Sequence, residues 1–196
     1  MTQAELLSDL DKRLLEINNW AKNLQNVDDK ILRSKPSETS WSALECLDHL
    51  NRYGDFYLPI FQEAIEKASK SKKIDFKPGW LGKKLALDML PQNGKLKSTM
   101  NTFKSKNPSL DGVNPEALAI FINQQEQFLE LIEKAAQIDL GSKRVKTTIP
   151  VLKLKLGDAL RFVVFHEVRH FEQAKRAMTK YKSPQSFKTF PEKTPS

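Results

Sequence analysis

The sequence contains three histidines, and two of them, His166 and His170, are four residues apart. In a helix this spacing places both side chains on one face, about 5–6 Å apart, which is close enough for both imidazoles to bind one metal ion. The third, His49, lies on the apolar face of another periodic segment. A hydrogen-bonded core histidine is the alternative at each position. Because all three histidines fall on inward faces, the pattern favours a shared metal site.

Three imidazole ligands leave at least one coordination position open for water or substrate, as in catalytic sites rather than closed structural ones. A metal ion held in this way can lower the pKa of a bound water to about 7, or hold a thiol as its thiolate. Either chemistry provides a nucleophile at neutral pH. Imidazole binds zinc, nickel, copper and iron, so the ligand type alone does not select the metal.

Two polar residues near the histidines are weak candidates for a catalytic role. Glu45 precedes His49 by one helical turn, where it could orient the imidazole or act as a general base. Its alternative role is to cap the helix with Ser42. Gln173 follows His170 by three residues, and it is a candidate either for the pocket wall or for a buried core amide.

Cys46 and Glu167 are neighbours of the histidines for which we expect structural roles. Cys46 shares a helix face with His49, and we expect a small core residue there, with a fourth metal ligand or a redox-active thiol as the alternatives. Glu167 lies about 100° around the helix from His166, so we expect it to form ion pairs on the surface.

Four segments repeat apolar residues at the spacing of amphipathic helices. We predict these helices over residues 3–25, 42–68, 115–137 and 156–179. Thr2 with Glu5, and Ser42 with Glu45, form capping boxes at the first two starts. Pro115 is typical of the first turn of the third helix. The second helix therefore carries His49, and the fourth carries the other two histidines.

The connection between the second and third helices, residues 69–113, is long and rich in lysine, proline and glycine. We predict one short helix in it, near residues 83–90, and no convincing strand elsewhere. The pattern predicts an all-α four-helix bundle in which this connection is a long crossover that permits the second and third helices to lie parallel. We assign residues 1–180 to the bundle domain and 181–196 to a flexible basic C-terminal tail.

The segments around the histidines are similar to those of a known family. They read Trp41-Ser42-x-x-Glu45-x-x-x-His49-Leu50, then Leu156-Gly157-Asp158-Ala159-Leu160-Arg161-Phe162, and finally His166-Glu167-x-x-His170-x-x-Gln173-Ala174-x-Arg176. Their order, spacing and flanking residues resemble the DinB/YfiT superfamily over about residues 3–180.

The resemblance implies an up-down-down-up bundle with a three-histidine divalent metal site, here His49, His166 and His170, usually holding nickel or zinc. It also implies a homodimer. The activity it implies is a transferase that uses a low-molecular-weight thiol as co-substrate, or a hydrolase, acting on a small molecule. A metal-stabilised bundle without catalysis is the alternative, because a shared fold does not supply the substrate.

The chain is basic, with 32 Lys and Arg residues against 24 Asp and Glu residues and a net charge of +8. The lysines of the crossover, interleaved with Phe76 and Trp80, make a nucleic-acid-binding stress protein a further alternative. We disfavour it because no recognised binding motif is present and charged loops are usually solvated.

Other features of the composition restrict the location and the class of protein. Only seven glycines are present, and no glycine-rich phosphate-binding motif occurs. The single cysteine cannot form an internal disulfide. No apolar stretch approaches the roughly 20 residues of a membrane span, and the N-terminus has no signal-peptide pattern. We therefore expect a cytoplasmic protein without a membrane partner.

Overall fold

The computed structural model describes residues 1–72, 74–90 and 102–179. Its elements are α1 (Gln3–Leu24), α2 (Asp29–Leu32), α3 (Ala43–Glu66), α4 (Trp80–Met89), a 3-10 turn (Lys104–Lys106), α5 (Pro108–Asp111), α6 (Ala117–Ala135), β1 (Arg144–Lys146), β2 (Lys153–Lys155) and α7 (Leu156–Thr179). The all-α class is confirmed, and the four predicted long helices correspond to α1, α3, α6 and α7. The predicted tail, residues 181–196, lies outside the described residues.

The starts of α1 and α3 are set by local hydrogen bonds that the sequence predicts. The hydroxyl of Thr2 accepts from the backbone N–H of Glu5, and the Glu5 carboxylate accepts from the N–H of Thr2. Ser42 and Glu45 repeat this exchange at the start of α3. Each pair satisfies N–H groups that have no partner inside the helix.

The start of α6 differs from the prediction. The helix begins at Ala117 rather than at Pro115. The side chain of Asn114 accepts from the N–H of Glu116, and its carbonyl accepts from the N–H of Ala117. These bonds close a turn over Pro115 and Glu116, so the proline lies in the turn that leads into the helix.

Ring contacts show that α3 and α7 are antiparallel. The contacting rings occur in opposite order along the two helices: His49 with His170, Tyr53 with His166, and Tyr57 with Phe162. The two helices therefore bring the three histidines to the same level of the bundle.

The remaining contacts define the topology. Between α1 and α7 the order is parallel, with Arg13 on Phe165 and Trp20 on Phe171. Between α3 and α6 it is also parallel: Asn51 bonds to the Ala117 carbonyl, and Phe61 packs on Phe128. Because α3 runs opposite to α7, the bundle is up-down-down-up, as predicted, with α3 and α6 as the parallel pair.

The long helices bury their apolar stripes in two clusters along the bundle axis. The larger cluster contains Leu10, Tyr57, Phe61 and Phe128. The smaller one contains apolar residues from the other end of the helices, among them Phe171. Burial of these side chains is the main source of stability for an amphipathic bundle. Within the described ranges, no helix combines the length and the apolar character needed to cross a membrane.

The crossover contributes α4, which packs against α7. This is the short helix predicted near 83–90, and it begins three residues earlier. The Asp158 carboxylate accepts a 2.7 Å hydrogen bond from the N–H of Gly79, just before α4. Gly82 lies so close to Asp158 that a Cβ atom there would be 2.5 Å from the Asp158 Cβ. Glycine therefore permits the close approach of the two helices.

The prediction of no strand is wrong at one place, where β1 and β2 form an antiparallel hairpin before α7. Each strand has three residues, and only the central ones, Val145 and Leu154, are buried. Three residues are too few to produce a detectable alternation of apolar and polar residues. The hydroxyl of Tyr57 accepts a hydrogen bond from the N–H of Thr148, which fastens the hairpin to α3.

Candidate metal centre

The three histidines meet in the bundle core, although 117 residues separate His49 from His166. The Nε2 atom of His166 lies 3.3 Å from Nε2 of His49 and 3.1 Å from Nε2 of His170. All three side chains are buried, and one ring nitrogen from each lies within 4.8 Å of the others. The structure thus brings together every residue of the predicted ligand set.

A backbone carbonyl orients the His49 ring. The Nδ1 atom of His49 is 2.6 Å from the carbonyl oxygen of Lys106, in the 3-10 turn. A carbonyl oxygen can only accept, so Nδ1 carries the proton and Nε2 presents its lone pair to the other two rings. The Lys106 ammonium in turn donates to the carbonyl oxygen of Arg52, which ties the turn to α3.

The surroundings keep the three imidazoles uncharged at neutral pH. Burial lowers the pKa of His49 to about 4, and the positive charges of Arg52 and Lys106 add to this effect. Burial also lowers the pKa of His166 and of His170 well below the ordinary value. Neutral imidazole is the form that binds metal ions, so the ligands are ready without losing a proton.

Two of the three separations between the imidazole nitrogens equal the edge of a tetrahedral site for one ion. Two ligands of such an ion lie about 3.3 Å apart when each bond to the metal is about 2.0 Å. The Nε2 separations of 3.3 Å (His49 to His166) and 3.1 Å (His166 to His170) match this edge length, and the third pair of ring nitrogens lies within 4.8 Å. Two uncharged ring nitrogens at this distance can share at most one proton in a hydrogen bond. A cation bound between the rings would instead accept the lone pair of each nitrogen.

An aromatic frame holds the imidazoles in place. The Trp41 ring lies 4.8 Å from the His49 ring and stacks on His170 at 5.8 Å, measured between centroids. On the other side, Tyr53 lies 4.5 Å from His166, and Phe162 is nearly parallel to the same ring. These contacts restrict the ring rotations that would misplace the nitrogens.

The histidines form part of the wall of a cavity of about 670 Å³. This is within the usual range for pockets that enclose small molecules. Its apolar wall includes Leu85, Met89, Phe103 and Ile149, and its polar wall includes Gln173. The imidazoles therefore face a space that a small molecule can enter.

A sequence model of the DinB superfamily matches residues 15–174, which is most of the chain. This chain belongs to the DinB superfamily. No curated protein and no solved structure gives a significant match. Superfamily membership agrees with the bundle topology and with the three clustered histidines, while the predicted binding of a metal by them stays a prediction.

In this DinB-superfamily chain, Glu45 caps the start of α3 and forms an ion pair with Lys35. Its Oε1 atom accepts from Lys35 and Ser109, and Oε2 accepts from the N–H of Ser42. Burial raises the pKa of Glu45, but these hydrogen bonds and the Lys35 charge outweigh it and give a net lowering. Glu45 is absent from the described cavity wall, whereas Gln173 is part of it.

Cys46 is fully buried in the smaller apolar cluster, as expected for a small core residue. Burial raises the pKa of its thiol, and the neighbouring Glu45 carboxylate raises it further. The thiolate that metal binding requires is therefore strongly disfavoured. Among the described residues, the group able to share an ion contains the three histidines without Cys46.

The prediction that Glu167 forms surface ion pairs is wrong. Its side chain is buried with 3% of its surface exposed, and burial raises its pKa to about 8. Gln125 on α6 opposes part of this shift by hydrogen bonding. The reason for the burial is that α1, α3 and α4 all pack against α7, so a position 100° away from His166 still faces protein.

Two cavity residues were given no role from the sequence. Arg169 and Arg176, both on α7, line the same cavity as the histidines. Burial lowers the pKa of Arg169, and so does the charge of Arg176, which indicates that the two guanidinium groups repel each other. Helical spacing alone could have placed both arginines on the face of the histidines, because Arg169 follows His166 by three residues and Arg176 follows Gln173 by three.

Proposed function

We propose that this protein binds one divalent metal ion, zinc or nickel, through His49, His166 and His170. We further propose that it is a metal-dependent enzyme acting on a small molecule, either a thiol-dependent transferase or a hydrolase. The observation that carries the proposal is the convergence of three uncharged Nε2 atoms on the wall of a 670 Å³ cavity.

A divalent ion with three imidazole ligands lowers the pKa of a water or thiol at its open position, and so supplies a nucleophile near neutral pH. The chain supplies the orientation. The Lys106 carbonyl directs Nε2 of His49 inward, and Trp41 packs against two of the rings. In thiol transfer the sulfur would give its proton to solvent water and form a bond to carbon, while the bond from that carbon to the leaving group breaks and the leaving group departs with the electron pair.

The proposed partners are a small-molecule substrate, a thiol co-substrate and a second copy of the chain. The cavity supports the first two, and the superfamily resemblance supports the homodimer. The family that the chain resembles includes many members without a known reaction, so activity must be tested separately from metal binding. The buried, single Cys46 agrees with the reducing conditions of the cytoplasm, where we propose that the protein acts.

Elemental analysis tests the metal site. Protein purified without a nickel column should contain about one divalent ion per chain, and His170→Ala should lose most of it because two nitrogens hold an ion far less tightly than three. Lys175→Ala, on the same helix but outside the cavity wall, is the matched control and should retain the ion. Full metal content in His170→Ala would overturn the assignment.

A substrate panel tests the activity. The zinc-loaded and nickel-loaded proteins are assayed with low-molecular-weight thiols against chlorinated aromatic and epoxide acceptors, and with ester, amide and lactone substrates. We expect turnover in one class, which chelation and His166→Ala both abolish. Turnover that survives both treatments would exclude the metal as catalyst. A complete blank, with full metal content, would favour the non-catalytic bundle.

A further inference from the structure

The described part of the cavity wall contains positively charged side chains apart from any metal ion. Arg169 and Arg176 lie on the cavity face of α7, and none of the described wall residues is Asp or Glu. The described wall therefore carries the positive charges of two guanidinium groups. A bound divalent ion would add two more, which makes an anionic occupant electrostatically favourable.

The two arginines differ in depth. Arg169 has 6% of its surface exposed, whereas Arg176 is exposed in the last turn of α7. Arg169 is therefore a buried part of the wall that a bound molecule can contact, and Arg176 is a part of the wall that solvent also reaches. A guanidinium presents a planar fork of N–H donors that matches a carboxylate.

The remaining wall residues indicate the chemistry of the part of the ligand that does not contact the arginines. Leu85, Met89, Phe103, Ile149 and Phe162 provide apolar and aromatic surface. A molecule that fills this space needs an apolar body, because burying its polar groups without partners would cost binding free energy.

We propose that the substrate class of this site is an apolar carboxylate: a small molecule with an aromatic or aliphatic body and one carboxylate group, which Arg169 binds and Arg176 assists. The inference rests on the proposed function in treating this cavity as the active site. The arginines would orient the body of the molecule across the cavity, with its reactive end toward the histidines.

Calorimetric titration with two matched probes tests this. The probes are 2-naphthoate and 2-naphthamide, which have nearly the same shape and differ in charge. We expect metal-free protein to bind the carboxylate about tenfold more tightly than the amide, as is typical of hydrogen bonds to a charged group. Zinc-loaded protein should show the same preference for the carboxylate.

Variants assign the preference to the arginines. Arg169→Gln should weaken 2-naphthoate about tenfold or more and leave 2-naphthamide within about twofold. Arg176→Gln should cause a smaller loss. Arg169→Lys, which keeps the charge without the fork, should be intermediate and guards against a folding defect in the glutamine variant. Lys175→Gln removes the same charge from the same helix outside the cavity wall, and should change neither affinity.

The inference would be overturned by equal affinities of the wild type for acid and amide, by a preference that persists in both glutamine variants, or by an equal loss in Lys175→Gln. A preference that appears only with zinc, and disappears in His170→Ala but not in Arg169→Gln, would assign the anion to the metal and also overturn it. The titration of metal-free protein needs neither bound metal nor turnover. Its result can therefore be interpreted even if the protein proves not to be a metal-dependent enzyme.

Discussion

At the scale of single residues, the buried carboxyl of Glu167 is the clearest titratable group outside the ligand set. Its pKa is raised to about 8 in the folded protein, against 4.5 for an ordinary glutamate. Between these values the folded state retains a proton that the unfolded state loses. Stability from this group is therefore complete below about pH 4.5 and is lost as the pH rises toward 8.

Glu167→Gln should remove this dependence. Between pH 5 and pH 8 we expect the free energy of unfolding of the wild type to fall, relative to that of the variant, by up to about 1.4 kcal/mol for each pH unit. Urea denaturation of metal-free protein at four pH values measures the difference. Glu172→Gln, a carboxylate removed from a partly exposed position of the same helix, is the control. A difference that does not change with pH would show that Glu167 is ionised in the folded protein.

At the scale of elements, the contact between α4 and α7 determines the shape of the cavity, since Leu85 and Met89 of α4 are part of its wall. The contact depends on Gly82, whose added Cβ would lie 2.5 and 2.6 Å from the Cβ and Cγ atoms of Asp158. These distances are far below van der Waals contact, so one of the two helices would have to shift.

Gly82→Ala should lower the free energy of unfolding by about 1–3 kcal/mol, as is typical of overpacking. The sign is informative, because alanine in place of glycine inside a helix ordinarily adds up to about 1 kcal/mol. Lys83→Ala, at an exposed position of the same helix, should stay within about 0.5 kcal/mol of the wild type. Thermal and urea unfolding measure both variants. A stabilised Gly82→Ala variant would contradict the tight packing of α4 on Asp158.

At the scale of the whole molecule, the net charge of +8 predicts weak, salt-sensitive binding to any polyanion. We expect the protein to elute from heparin at modest salt and to bind unrelated DNA duplexes equally, because the positive charge is spread over loops. Titration of several duplexes at two salt concentrations measures this. Tight binding to one defined sequence at physiological salt would instead favour the nucleic-acid function.

The oligomeric state is a second property of the whole molecule. The superfamily resemblance predicts a homodimer, with twice the 22.5 kDa mass of one chain. Light scattering over a range of protein concentrations measures the mass directly. The mass of one chain at every concentration would contradict the prediction.

Much of this protein was determined by local sequence. Helix periodicity and capping boxes depend on residues three and four positions apart, so the long helices and their starts were predictable to within two residues. The inward placement of His49, His166 and His170 followed from the same periodicity. The β-hairpin did not, because each strand is only three residues long.

Tertiary structure decided the properties that depend on residues distant in sequence. Helical phase places His49 on an inward face, but only the antiparallel packing of α3 on α7 brings its Nε2 atom to 3.3 Å from that of His166. The Lys106 carbonyl that orients His49 comes from the crossover, 57 residues away. Glu167 is buried because α7 is surrounded by other helices. The burial of Glu167 and the tautomer of His49 arise from such contacts, which no local spacing encodes.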